Sequence, residues 1–280
     1  MDTLTASDGT PLQLQRWPAP GAPRGMVLIV HGLGEHIGRY AHVAAHLNGL
    51  GWAVAGPDQR GHGRSGGARG AIPDSFALAA DLAQVIDAVR LPGLPLVLLG
   101  HSMGGLVVGR FVAEALSPQP AAWSRPVDGL VMSSPALDPG LNRFQKFLLA
   151  VLGPLTPNLA VGNGLKPGWV SRDPAVVKAY VDDPLNHDRI TPRLTSFIVE
   201  GGAHARSRAG AWRTPTLLLW AGADRCVAPR GSAAFAATAP PEVLTGQVFE
   251  PLFHEIFNEP EQAAVLQRVG DWLARQFPRA

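Results

Sequence analysis

The chain has 280 residues, 46% of them hydrophobic and 16% charged, with a formal net charge of +2. That balance excludes a disordered chain, and the 24 Arg and Lys residues are scattered, so no basic stripe for nucleic acid emerges. One cysteine, Cys226, excludes an internal disulfide; with no basic leader and no apolar run near the ~18 residues of a membrane span, a cytoplasmic globule is expected.

Residues 3–6 and 11–17 read as two short strands turned at Asp8-Gly9. Met26-Val-Leu-Ile-Val30 is a buried strand running into His31-Gly-Leu-Gly-Glu-His36. A helix over about 39–48 follows, with Val43, Ala44 and Leu47 on one face, then a strand at 52–55. The loop 56–65 is too rich in Gly for regular structure. Ser75 is expected to cap a helix reaching Arg90, with Leu78, Leu82, Val85 and Val89 at helical spacing. A buried strand over 94–99 comes next, then a helix to about Leu116, and a strand at 129–133. Strands and helices alternating in this way predict an α/β protein with a mostly parallel sheet covered on both faces.

The alternation then breaks. From Pro135 to about Arg213 there are apolar helical stretches but no convincing strand, which predicts a helical cap at 135–213 inserted into a core made of 1–134 and 214–280. Thr216-Leu-Leu-Leu-Trp220 restores the pattern, with a helix at 231–239 and a strand at 247–250 after it. Asn258 is expected to cap the last helix, whose buried face carries Val265, Leu266, Val269, Trp272 and Leu273.

Gly100-His-Ser-Met-Gly104 lies between the 94–99 strand and the following helix. That is the context in which G-x-S-x-G exposes a nucleophilic serine on a sharp turn, with the Met103 amide at a helix N-terminus facing a developing oxyanion. A second match, Gly63-Arg-Ser-Gly-Gly67, lacks both the strand before it and the helix after it, so Ser65 is read as a loop residue. A serine nucleophile needs an imidazole base and an acid that fixes its tautomer, supplied in the order Ser, Asp, His from the ends of later strands. Asp224 and His254 meet that order and placement. Asp188 falls in the cap and Asp271 inside the last helix, while His187, His204, His42 and His46 suit cap or surface positions. His101 reads as a packing or hydrogen-bonding residue. The second oxyanion donor is expected from the Leu33 amide in His31-Gly-Leu-Gly34.

Several stretches together carry a specific resemblance. His31-Gly-Leu-Gly-Glu-His-Ile-Gly-Arg-Tyr40, Asp58-Gln-Arg-Gly-His-Gly-Arg-Ser65, Gly100-His-Ser-Met-Gly-Gly105, Tyr180-Val-Asp-Asp-Pro-Leu185, Gly222-Ala-Asp-Arg225 and Phe253-His-Glu255 resemble the monoacylglycerol lipase branch of the α/β hydrolases, from Gly25 onward. The resemblance implies an α/β hydrolase fold with a central sheet of about eight strands and a helical lid. It implies cleavage of one fatty ester from glycerol, with no metal or cofactor; lysophospholipases and other esterases belong to the same branch. By the same resemblance Arg39, Glu35 and Tyr180 are candidates for reading the glycerol hydroxyls, with a simple Arg39–Glu35 ion pair as the alternative.

In the insertion, Leu141, Phe144, Phe147, Leu148, Val151 and Leu152 repeat at helical spacing. That face, Phe144 and Leu148 included, lines an acyl tunnel, rests transiently on a membrane or micelle surface, or packs as ordinary cap. The partner expected is a small lipid ester and no nucleic acid; the oligomeric state is not readable. A peptidase of the same superfamily would need cap carboxylates for a free amine. Asp173, Asp182, Asp183 and Asp188 are present but read as caps and turns. A ligand receptor without turnover is the rival from another class.

Overall fold

The computed structural model describes residues 2–278, apart from the side chain of Leu152, so the part of the predicted apolar face that falls on Leu152 lies outside the described residues. In chain order the elements are β1 (Asp2–Thr5), β2 (Pro11–Trp17), β3 (Met26–Val30), α1 (Ala41–Gly49), β4 (Ala53–Pro57), α2 (Ala77–Val89), β5 (Leu96–His101), α3 (Met103–Glu114) and β6 (Gly129–Ser133). There follow α4 (Arg143–Leu152), β7 (Val161–Gly162), α5 (Pro174–Asp182), β8 (Arg189–Ile190), α6 (Pro192–Arg208), β9 (Thr216–Ala221), α7 (Pro229–Thr238), β10 (Leu244–Phe249) and α8 (Gln262–Gln276).

Eight strands form one sheet in the order β1-β2-β4-β3-β5-β6-β9-β10. The pairings β1–β2 and β2–β4 are antiparallel and the others parallel. The central strands are apolar throughout because helices cover both faces. Along β3, Leu28 and Val30 join the core beneath α2, α3 and α6, while Val27 and Ile29 join the core beneath α1 and α8. β5 repeats this, with Leu96 and Leu98 on one face and Val97 and Leu99 on the other. Burying each such side chain contributes about 1.5–3 kcal/mol, so these strands are fixed in register and the loops at their carboxyl ends inherit fixed positions.

Between β6 and β9 the chain adds no strand to this sheet. It does form one short antiparallel pair, β7 with β8, in a region where no strand was expected. Two-residue strands have too little length to leave a periodic signature. The segment touches the loops after β3 and β4: the His187 amide donates to Gly34 O (2.9 Å) and the Thr191 amide to Gly70 O (2.9 Å).

Three helix starts differ from expectation. The 39–48 stretch divides into a 3-10 turn, Ile37–Tyr40, and α1, with the His36 ring accepting from the Gly38 amide at the start of the turn. Ser75 does not cap α2; Asp74 Oδ1 accepts the Phe76 amide (2.7 Å), and the helix begins without a side-chain cap. Asn258 does not cap α8. Its amide donates locally to Glu255 Oε2 (2.9 Å), and Glu259 accepts the distant Arg172 amide (2.5 Å), so both side chains are otherwise engaged and the helix waits until Gln262. No helix among the described residues is long and apolar enough to cross a membrane.

Candidate active site

β5 passes into α3 through one residue. Ser102 has φ 54° and ψ −120°, a conformation that costs a non-glycine residue on the order of 1–3 kcal/mol. Three backbone bonds hold it there: Ser102 N–H to Ser133 O (2.9 Å), and the Leu106 and Ala136 amides to Ser102 O (3.0 and 2.9 Å). The flanking glycines permit the turn. A Cβ on Gly100 would lie 2.4 Å from Gly104 O, and one on Gly104 would lie 2.0 Å from Val30 O. Strand and helix therefore cross in backbone contact, leaving the serine as the group that projects.

Two later strands bring the partners. Asp224 follows β9 and His254 follows β10. His254 Nε2 lies 2.8 Å from Ser102 Oγ, and Nδ1 lies 2.7 Å from Asp224 Oδ2. A carboxylate only accepts, so Nδ1 carries the proton and Nε2 presents its lone pair to the serine hydroxyl. Asp224 Oδ1 accepts the Cys226 and Val227 amides (2.8 and 3.1 Å), which fixes the carboxylate in turn. Burial alone would push the His254 pKa down. The Asp224 charge and hydrogen bond, with Glu255 and Glu35 further off, outweigh it and hold the pKa above the ordinary histidine value.

Beside the serine lies the loop after β3. A Cβ on Gly32 would lie 3.1 Å from Ser102 Cβ. The Gln59 amide donates to His31 Nε2 (2.9 Å), so the His31 proton sits on Nδ1 and donates to Gly32 O (2.8 Å). In a trans peptide the carbonyl and the next N–H point in opposite directions. Holding Gly32 O from one side therefore aims the Leu33 N–H to the other. Gly34, at φ +76°, makes the turn and meets the His187 backbone, where a Cβ would be 2.3 Å from His187 O.

The remaining predicted residues divide. Glu35 and Tyr180 line the cavity over Ser102. Arg39 does not line it: Nη1 donates to Glu35 Oε2 (2.8 Å) and Glu255 Oε1 (2.7 Å), Nη2 donates to Glu255 Oε2 (2.7 Å), and the guanidinium stacks on Tyr180. The ion-pair alternative is what forms, with a second carboxylate that spacing could not reveal. Phe144 and Leu148 are also outside the cavity lining; Phe144 is 66% exposed on α4 and Leu148 is half-buried.

The rival residues have other work. Ser65 is buried, donating to Asp58 O and accepting the Gln13 amide (2.8 Å). His101 packs against the His254 ring and contacts Ser133 Oγ (3.1 Å); burial, then His254 nearby, holds its pKa at about 4. Asp173 caps α5, Asp182 pairs with Lys178, Asp183 with His36 (2.8 Å) and Asp188 with Arg189 (3.2 Å).

Two further residues of the site are not singled out by the sequence: Glu255, the residue after the proposed base, and Tyr40, whose hydroxyl donates to Glu35 Oε1 (2.8 Å). Their only signal was membership of the quoted motifs. The cavity is about 320 Å³, with Leu33, Val170 and Val181 among its apolar walls and Asn163, Asn186 and His187 among its polar ones. Among the described residues one cluster, Asp224, Cys226 and His254, has metal-ligating atoms within 4.8 Å of one another. Two of the three are already joined by the bond that orients the imidazole.

A protein-family model described as Hydrolase_4, serine aminopeptidase, S33, matches residues 21–261. A monoacylglycerol lipase of Mycolicibacterium smegmatis is 36% identical over 92% of this chain and 90% of its own length. Among solved structures, Paleococcus ferrophilus monoacylglycerol lipase superposes with a TM-score of 0.83 at 36% identity, covering 95% of this chain and 99% of that one. A soluble variant of monoglyceride lipase from Saccharomyces cerevisiae, in complex with a substrate analog, superposes at 0.87 with 21% identity over 99% and 96% of the two chains, which shows the shared fold. By sequence over most of its length and by architecture, this chain belongs to the Hydrolase_4 (serine aminopeptidase, S33) family of α/β hydrolases.

Proposed function

We propose that this chain is a serine hydrolase that cleaves the fatty acyl ester of a monoacylglycerol through an acyl-enzyme. The observation that carries the reading is the unbroken hydrogen-bond series from Asp224 through His254 to Ser102 at the cavity floor. In the first half-reaction Ser102 Oγ attacks the ester carbonyl carbon while its proton passes to His254 Nε2. The imidazolium that forms is stabilised by Asp224, and the Leu33 and Met103 amides donate to the oxyanion, each such donor contributing about 2.7–4 kcal/mol to the transition state. His254 then protonates the glycerol oxygen as its bond to the acyl carbon breaks. Water repeats the sequence on the acyl-serine and releases the fatty acid.

The family description leaves peptide bonds as the competing substrate class. An aminopeptidase needs a carboxylate free to take a substrate ammonium. Glu35 and Glu255 in the cavity wall are already neutralised in part by Arg39, and Asp183 is engaged by His36. That supports an uncharged ester over an aminoacyl substrate, as do the monoacylglycerol lipases among the relatives. Residues 135–213 act as a cap. Its exposed Phe144, Phe147, Val151 and Leu155 rest on the micelle or bilayer that holds the substrate, while Tyr180 meets the glycerol end. The buried free Cys226 suits a reducing, cytoplasmic setting.

The test compares kcat/KM for a monoacylglycerol, the methyl ester of the same acid and an aminoacyl amide, with fluorophosphonate labelling of Ser102 in parallel. The monoacylglycerol should be turned over fastest and the amide not measurably. Preference for the amide, or labelling that survives Ser102→Ala, refutes the reading.

A further inference from the structure

We propose that Arg39, Glu35 and Glu255 form a positioning clamp, in which one buried guanidinium ties the loop carrying the Leu33 amide to the loop carrying His254. The inference rests on the catalytic reading above and goes beyond it, because none of the three need touch the reacting atoms. Each arm ends at a different part of the site. Glu35 Oε2 accepts from Arg39 while its Oε1 accepts the Gly32 amide (2.5 Å) and the Tyr40 hydroxyl (2.8 Å), so this carboxylate grips the peptide preceding the oxyanion loop. Glu255 receives both Nη atoms of Arg39 (2.7 Å each) and the Asn258 amide, and it directly follows His254. Its own amide donates to Val170 O (2.8 Å), in the cap segment.

The side chains of Arg39, Glu35 and Glu255 are 11%, 4% and 5% exposed. Two carboxylates buried on one guanidinium are a poor way to gain stability, since desolvation takes back most of the attraction. The arrangement makes sense as geometry: the oxyanion donor and the general base come from β3 and β10, strands separated in the sheet by β5, β6 and β9. The two loops converge beyond the strand ends, and the guanidinium joins them through Glu35 on one side and Glu255 on the other. A fixed fork and bidentate contact also set orientation as well as distance, which a lysine would not.

The trio carries one net negative charge when both carboxylates are ionised, and that charge lies near His254. The other groups facing the imidazole are Asp224 and Cys226 from the loop after β9, and Ser102 and His101 from the end of β5. Burial raises the Cys226 thiol pKa and keeps His101 neutral at neutral pH, so the carboxylates supply the field. Glu255 and Glu35 both favour the protonated imidazole. The clamp therefore helps the imidazolium to form during attack as well as aligning it.

Four variants of the full chain test this: Glu255→Gln, Glu35→Gln, Arg39→Met and Arg39→Lys. Glu35→Gln keeps an oxygen for Gly32 and Tyr40 and severs only the Arg39 arm. Each of the two glutamine variants should lower kcat about 10-fold and Arg39→Met about 10²-fold, with KM within about twofold and part of the loss restored in Arg39→Lys. In Glu255→Gln the acid limb of kcat/KM should move to lower pH, a shift that loss of packing alone would not produce. The clamp is overturned if folded Arg39→Met keeps kcat within about threefold of wild type. It is equally overturned if the Glu255→Gln profile superimposes on the wild-type one, and that second measurement decides the matter should Arg39→Met fail to fold. Ser102→Ala separates the two readings: activity surviving in that variant sinks the catalytic assignment itself, whereas an inactive Ser102→Ala beside an unmoved Glu255→Gln profile sinks only the clamp.

Discussion

Gly104 is where a single methyl group has the clearest calculable effect. A Cβ at that position would lie 2.0 Å from Val30 O and 2.4 Å from His31 O. Carbon–oxygen contacts need about 3 Å or more, and neither backbone carbonyl can rotate away, so α3 and β3 must part by about 1 Å. The elements that part are those carrying the Met103 and Leu33 amides. A misplacement of that size costs on the order of 10²-fold in rate, equivalent to about 2.7 kcal/mol, and overpacking costs roughly 1–3 kcal/mol in stability. Helix propensity pulls the other way, since alanine is better than glycine in a helix by about 1 kcal/mol. Gly109 in the same helix provides the control, because its Cβ would meet only the movable Met132 Sδ at 3.1 Å. The assay is kcat/KM on a monoacylglycerol, with Tm and fluorophosphonate labelling rate measured on the same preparations. Gly104→Ala should lose about 10²-fold and melt lower; Gly109→Ala should keep its activity and melt no lower than wild type. Turnover by Gly104→Ala within about threefold of wild type would show that the close crossing does not set the oxyanion geometry.

Ser102→Ala and His254→Ala should each lower ester turnover by roughly 10³-fold or more with the fold intact, because the residues act as one unit; circular dichroism and kinetics on both variants check this. The base must be neutral to accept the serine proton, so a His254 pKa held above the ordinary value puts the acid limb of kcat/KM above pH ~6.5, activity falling as pH drops through it. A pH–rate profile with its limb well below that value would contradict the field assigned to Asp224, Glu255 and Glu35. Tyr180→Phe should shrink the preference for a monoacylglycerol over the matching methyl ester, measured as the ratio of kcat/KM, since the cavity loses a hydroxyl that a glycerol oxygen can pair with. Burial raises the Cys226 thiol pKa, so alkylation near neutral pH should be slow; labelling of Cys226 as fast as a free thiol would mean that the Asp224 loop opens.

Local periodicity is enough to find β3, β4, β5, β6 and β9, because parallel strands covered on both faces are continuous apolar runs, whereas the half-buried β10 starts three residues before the 247–250 stretch that the sequence suggests. The helix starts were less legible. Ser75 and Asn258 carry the right side chains for capping, but Asp74 and the Glu255 contact compete for the same backbone and side-chain groups. The apolar repeat in α4 marks a helix face in the sequence, while its exposure at Phe144 and Phe147 depends on what the remainder of the chain leaves uncovered.

The sequence by itself determined the order of the main-sheet strands and the helices connecting them outside 135–213, the turn that projects Ser102, and the positions after β9 and β10 that hold Asp224 and His254. All of these follow from local steric and hydrophobic rules acting over a few residues. Tertiary structure alone decided where Arg39 spends its charge. Glu35 is four residues away, and spacing allowed that pair to be named; Glu255 is separated by 216 positions and joins only because β3 and β10 lie in one sheet. The same holds for the His31 tautomer, set by the Gln59 amide, and hence for the direction of the Leu33 N–H. Contacts of this kind have no spacing in the chain to betray them: they depend on directional bonds between loops whose relative positions exist only once the sheet has formed.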